Sequence, residues 1–331
     1  MGTTKIEWTR GEDGSKGATW SPIRARAKED MVIRGREVPA GKWGYHCERI
    51  SPGCVNCYAS TMNGRMLPAW GTGLDFTVPN REKVEIFLDE EELLKPLKWK
   101  RPRRIFVESM SDWCAAFVTD EMRDRILAVA ALCPQHAFLH LTKRAKECAE
   151  YFNTRTPGAL GIQARVAFWI DKIIQRMGWS ACLSADDLLE EWPLPNVHLG
   201  FSAESQQYFD ERWSHMRRLA EVGWKVWVSA EPLLSAIDMR AALRLLAQVV
   251  VGGESGHGAR PMDLAWARDI VQQCKTAGVA CFVKQLGAFP VAVDTRVPNL
   301  ERWRIVLKDR KGGDMSEWSE DLRVREFPGA R

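Results

Sequence analysis

No stretch of this sequence approaches the roughly 20 consecutive apolar residues needed to cross a bilayer. The N-terminus, MGTTKIEWTR, lacks the apolar segment of a secretory signal, and Ile6 breaks the N-myristoylation pattern. No excess of one charge stands out: 47 basic and 43 acidic residues leave a net +4, so overall charge names no partner. Internal repeats and low-complexity tracts are also lacking, which excludes a repeat array. These absences predict a soluble protein of the cytoplasm. In that reducing compartment its nine cysteines read as ligands, catalysts or small core residues in preference to disulfides.

What the chain has is length, tryptophan and rhythm. Its 331 residues suffice for one barrel-sized domain or two ordinary ones, and fifteen tryptophans supply rings for cores or for stacking on ligands and bases. From about residue 100 to 287, short β-branched or aromatic runs recur: RIFVES (104–109), AFLHLT (137–142), VHLGFS (197–202), KVWVSA (225–230), QVVVGG (248–253) and ACFVKQ (280–285). Amphipathic stretches lie between them, the last framed by Asp263 as N-cap and Gly278 as C-cap. Apolar strands alternating with helices predict a parallel sheet covered by helices. With further strands near Ala18–Trp20 and Val84–Leu88 the total reaches eight, and the expected fold is an α/β (β/α) barrel, complete or nearly so. It would occupy residues 1–287, with insertions at 22–42 and 153–195, the second holding an apolar helix from about Ile162 to Met177. Residues 288–331 would form an extension packed on it, with RIVLKDRKGGD as a hairpin.

In a parallel barrel, function gathers where strands end. Those ends carry Ser111 and Asp112, Lys143 and Arg144, Ser202 and Glu204, Glu231, Glu254, and Lys284 with Gln285. Opposite charges on one rim suit a zwitterion, whose ammonium meets carboxylates and whose carboxylate meets Lys or Arg. Each polar end taken singly reads equally well as a helix cap. The stretch GYHCERISPGCVNCYAS follows the first strand, with six residues between Cys47 and Cys54 and two between Cys54 and Cys57. Three thiolates from one loop can hold three irons of a [4Fe–4S] cluster and leave the fourth open. Structural zinc is the rival, but His46 adjoins Cys47 and no second C-x2-C pair completes a ribbon; unligated core cysteines are a third reading. The polar rim tips the reading toward the cluster. Cys133, Cys148, Cys182, Cys274 and Cys281 read as buried packing.

The motifs KIEW, TWSP, ISPGCVNCYA, PRRIFVESMSD, LTKR, FSAES, SAEPLL, VGGESG, ARPMD and FVKQLG closely resemble those of the phage and bacterial three-cysteine-motif proteins. That family looks like a divergent branch of the radical S-adenosylmethionine (SAM) enzymes. The order of the motifs also resembles spore photoproduct lyase. Two features depart from these patterns: the insertion at 22–42, and a cysteine spacing of six then two where three then two is commoner. Gly252-Gly253-Glu254 lies too far from the cysteines to be the glycine-glycine-glutamate SAM clamp.

The resemblance implies that Cys47, Cys54 and Cys57 ligate a [4Fe–4S] cluster, that SAM chelates the open iron, and that reduction releases a 5′-deoxyadenosyl radical. An electron donor such as flavodoxin or ferredoxin would be required. Lys143 and Ser202 would hold the SAM carboxylate, Ser111 and Asp112 its amino group, and Glu204 the ribose or amino group. Glu231 and Glu254 would face substrate or the adenosyl moiety, and Cys114, placed on a rim loop, would either return a hydrogen atom or merely pack. The leading substrate is a modified nucleobase in phage DNA, as in thymine hypermodification, with isomerisation or other C–H chemistry. RNA, a peptide or a small metabolite would change only the substrate, whereas a non-enzymatic zinc or iron–sulfur protein would leave the rim unexplained. KPLKWKRPRR (95–104) reads either as a solvated connector or, with the basic insertion, as a track for a phosphate backbone.

Overall fold

The computed structural model describes residues 4, 6–11, 14–67, 69–153, 161–179, 184–293 and 302–328. Strands form on the apolar runs, where β-branched and aromatic side chains pack on both faces of a covered sheet. β1 (Ala18–Trp20), β2 (Arg104–Val107), β3 (Ala137–Thr142), β4 (Val197–Ser202), β5 (Lys225–Ala230), β6 (Leu246–Gly252) and β7 (Ala280–Gln285) make one sheet in that spatial order. The pairs β1–β2, β2–β3, β5–β6 and β6–β7 are parallel. All six residues of β4 are buried.

The sheet has seven strands and stays open, with β1 and β7 at its edges. It corresponds to part of a (β/α) barrel and not to a complete one. The expected eighth strand, Val84–Leu88, pairs antiparallel with Ile23–Ala27 in a separate small sheet that also contains Trp43–Gly44. Its burial explains the difference: only Val84 is fully buried, whereas a strand covered on both sides by helices needs both faces apolar. The basic insertion supplies the partner strand.

Two compact units divide the chain. The first comprises Met1–Ile50, Cys57–Leu199 and Val222–Trp224, the second Ser51–Asn56, Gly200–Glu221 and Lys225–Arg331. Within the first, α1 (Tyr58–Gly64) follows the cysteine loop, α2 (Asp120–Ala131) starts at a Thr119 cap, and α3 (Ala145–Asn153) follows β3. α4 spans Ile162–Met177, as its apolar periodicity predicts, and buries Val166, Ile170, Ile173 and Ile174. Within the second lie α5 (Gln206–Glu221) and α6 (Leu264–Ala277). The Asp263 carboxylate accepts from the Ala265 N–H at 2.9 Å, and Gly278 closes α6 with φ +67°. Cys133, Cys148, Cys274 and Cys281 are buried packing residues, while Cys182 and the Pro/Gly break after residue 153 lie outside the described residues. Among the described residues, no helix is long and apolar enough to cross a membrane.

The free edge of β7 is covered by the C-terminal tail. Val283 N–H donates to Val324 O and Glu326 N–H to Cys281 O, both at 2.8 Å, and Phe282 bridges Arg325 in antiparallel sense. Pairing of this kind satisfies an edge that would otherwise template association. No hairpin forms at KDRKGGD: Arg302–Arg304 pairs instead with Pro290–Val293. The glycine turn is built around Asp309, whose carboxylate accepts from the N–H groups of Lys311, Gly313 and Asp314. That turn sends the Gly312 carbonyl to Leu286 N–H at 2.8 Å. Leu322 and Trp318 anchor the tail, at 0% and 2% exposure. Leu322→Ala should lower the unfolding free energy by about 2–5 kcal/mol in denaturant titrations. An unchanged midpoint would show that this side chain does not hold the tail.

Candidate functional site

In the first unit the polar residues after β2 and β3 converge on Asp112, which is 6% exposed. One carboxylate oxygen accepts from Thr142 Oγ1 at 2.6 Å and Cys114 N–H at 3.0 Å. The other accepts from Lys143 N–H at 2.9 Å and lies 3.5 Å from Arg144 Nη1. Arg144 in turn donates to the Glu48 carbonyl and carboxylate, both at 3.3 Å, and contacts the Cys47 thiol. Ser111 Oγ donates to the His46 carbonyl at 2.7 Å. Asp112 thus ties two strand ends to the chain entering the cysteine loop. His46 itself is buried, its ring near those of Phe76 and Phe117.

Immediately before this group stands Glu108, which sequence reasoning passed over as the end of a strand. It is 2% exposed and adopts φ +52°, a left-handed conformation uncommon away from glycine. Its N–H donates to Trp20 O at 2.9 Å and its Oε1 accepts from Ile23 N–H at 2.8 Å, whereas Oε2 has no partner among the described residues. Burial drives its carboxyl well above the ordinary range, against the Ile23 N–H, with Glu92 adding to the rise and Arg24 opposing it.

The second unit contains Ser51–Asn56, the middle of the cysteine loop, clipped at both ends by carboxylates. Glu204 accepts from Ser51 Oγ at 2.6 Å through Oε1 and pairs with Arg212 Nη1 at 2.7 Å through Oε2. Both charged side chains are almost fully buried, at 0% for Glu204 and 3% for Arg212. Gly53 packs so closely that a Cβ there would lie 2.1 Å from Glu204 Oε1. Farther along, Asn56 Nδ2 donates to Glu254 at 2.9 Å, and Arg260 grips the same carboxylate through its backbone N–H and guanidinium. Burial would raise the Glu254 carboxyl, but Arg260 and Asn56 outweigh it and hold it below the ordinary range. Glu231 forms an ion pair with Lys284 at 2.6 Å. Ser202 is buried at 1% exposure, its carbonyl accepting from Arg212 at 2.8 Å.

The three loop cysteines are half-buried, while the other five described cysteines are buried. Among the described residues no group of three or more His, Cys, Asp or Glu side chains is gathered tightly enough to hold a metal ion. Cys114 does not lie on an accessible rim loop: it is 0% exposed, and burial, together with a hydrogen bond to Cys148, pushes its thiol well above the ordinary value. It packs. Most of the insertion's arginines are paired locally, Arg24 with Asp89 and Glu92, Arg26 with Glu85 and Arg34 with Asp75.

A family model described as "Protein of unknown function (DUF5131)" matches residues 43–320. The chain belongs to that family. The match begins after the basic insertion and takes in every loop cysteine and strand-end residue described above. No curated protein and no solved structure matches the chain.

Two outcomes follow from this geometry. Glu108 holds its proton in the folded chain at pH values where an unfolded carboxyl has released it, so its contribution to stability falls as pH rises above the ordinary carboxylate range. The melting temperature of Glu108→Gln minus that of wild type should therefore grow from mildly acidic to mildly alkaline pH. Gly53→Ala should displace the loop, because buried Glu204 cannot retreat from Arg212. Cys54 would then react faster with a thiol reagent, and an unaltered rate would mean that the close packing is relieved at no cost.

Proposed function

We propose that this protein is a radical SAM enzyme in which Cys47, Cys54 and Cys57 each ligate one iron of a [4Fe–4S] cluster. Its substrate would be a modified nucleobase in phage DNA, transformed by isomerisation or another C–H reaction in the host cytoplasm. The observation that carries the reading is the state of one loop: three thiols within a short stretch, all half-buried while the other described cysteines are buried, on a loop whose middle is held by Glu204 and Glu254. When bound, the cluster supplies the electron that cleaves SAM to a 5′-deoxyadenosyl radical, delivered to it by a flavodoxin- or ferredoxin-type donor.

The chain's own work is to position and to neutralise. Arg144, touching Cys47 and bonded to Glu48, would balance thiolate charge. Asp112 has both oxygens engaged and so acts on the backbone of Lys143, the residue that would hold the SAM carboxylate. Glu204 and Glu254 serve as clamps on the loop. Glu231 and Lys284 remain as a polar pair for the adenosyl moiety or the substrate. Cys114 is buried, and isomerisation, in which deoxyadenosine itself returns the hydrogen, needs no donor there.

Anaerobically prepared protein should contain iron and acid-labile sulfide in near-equal amounts, and Ala at any one of the three cysteines should abolish both that content and deoxyadenosine release. Zinc without iron, or a triple variant with full iron, would sink the reading. Mass spectrometry of DNA incubated with the reduced enzyme and SAM tests the substrate. Lys143→Ala should weaken SAM binding in calorimetry by about 1.5–3 kcal/mol, roughly 10- to 150-fold, with iron unchanged.

A further inference from the structure

The other charged feature of the first unit lies at the opposite ends of the strands. Between Glu92 and Glu108 the chain carries Lys95, Lys98, Lys100, Arg101, Arg103 and Arg104 and no acid. Lys95 pairs with Glu92 at 2.7 Å. Lys98, Lys100 and Arg101 are exposed and Arg103 half-buried, and none of the four has a carboxylate partner among the described residues. The segment is rigid where it matters: Arg103 lies over the Trp99 ring at 4.8 Å, and its carbonyl accepts from Ala137 N–H at 2.9 Å. Trp99 is held in addition by Gln135, which donates to its carbonyl, and by the His136 ring. Ala18 stands beside Ile105 in the sheet, so the entry to β1, with exposed Lys16, meets the entry to β2 at the same edge.

We propose that Lys16, Lys98, Lys100, Arg101 and Arg103 form a surface that binds the phosphodiester backbone of a polynucleotide. Unpaired cations on a segment braced at Trp99 and Arg103 lose little entropy on meeting phosphates and release condensed counterions from them. Contrast within the same unit supports the assignment: the insertion's Arg24, Arg26 and Arg34 are each matched by acids, whereas this run is not. An anionic membrane fits less well. It would want an apolar wedge beside the charges, and none of the large apolar side chains in this run is exposed. The surface precedes the strands and so stands apart from the residues at their C-terminal ends. It deepens the DNA reading above by naming how the polymer is held, without depending on the radical chemistry.

Binding of a fluorescent DNA duplex to the full chain, measured across a salt series, tests this. Lys98→Ala/Lys100→Ala/Arg101→Ala should weaken binding at least about tenfold at low salt and flatten the salt dependence by about 2–3 in logarithmic slope, with melting temperature unchanged. The chain with all three loop cysteines changed to Ala should bind the duplex like wild type, so failure of the cluster and failure of this surface are read separately. The inference is overturned by absence of duplex binding in wild type or by equal slopes in wild type and variant. It is equally overturned if the triple variant loses binding only to phosphatidylserine vesicles.

Discussion

Arg212 and Glu204 face each other at 2.7 Å with both side chains almost wholly removed from water. Taking two opposite charges into a protein interior costs several kcal/mol for each, and the attraction between them offsets that only if geometry is good and the remaining lone pairs are used. Here they are used: the second Glu204 oxygen accepts from Ser51, and Arg212 also donates to the Ser202 carbonyl. The pair thereby joins the end of β4, the middle of α5 and the middle of the cysteine loop at one point. Gly53 is the complement to that arrangement, since only a residue without Cβ passes so close to the carboxylate. Loss of either partner would leave a buried charge without its counter-ion.

Local pattern carried the fold a long way. The limits of β3, β4, β5 and β7 follow the apolar runs, and α4 occupies Ile162–Met177 as the periodicity requires. Legibility stopped where the outcome depended on a partner distant in sequence. Val84–Leu88 reads as a strand, which it is, but its sheet is decided by Ile23–Ala27, a neighbour that no local signal identifies. Closure failed for a similar reason: the edge of β7 is taken by residues 324–326, whose sequence gives no strand signal.

The site was legible in kind more than in role. Strand ends do collect acids and cations, but within each unit these mainly bind one another: Asp112 with Arg144, Glu204 with Arg212, Glu231 with Lys284 and Glu254 with Arg260. Ser51 meets Glu204 across 153 positions and Asn56 meets Glu254 across 198, separations that spacing cannot reveal. Glu108 escaped notice because a left-handed backbone and a lone buried oxygen leave no compositional trace. What the sequence exposes is which groups reach an edge. Folding decides which of them remain available.

The covering of β7 by the tail has a consequence for biosynthesis. About forty residues separate the end of β7 from Glu326. At ordinary rates of translation that is an interval of about 2–8 s during which the strand has been made and its protector has not. Until residues 324–326 pair with it, β7 presents an apolar edge with open hydrogen-bonding groups, the arrangement most prone to joining a neighbouring chain. That short pairing therefore acts as a lock: before it forms, the chain's fate depends on its surroundings as well as on its own fold.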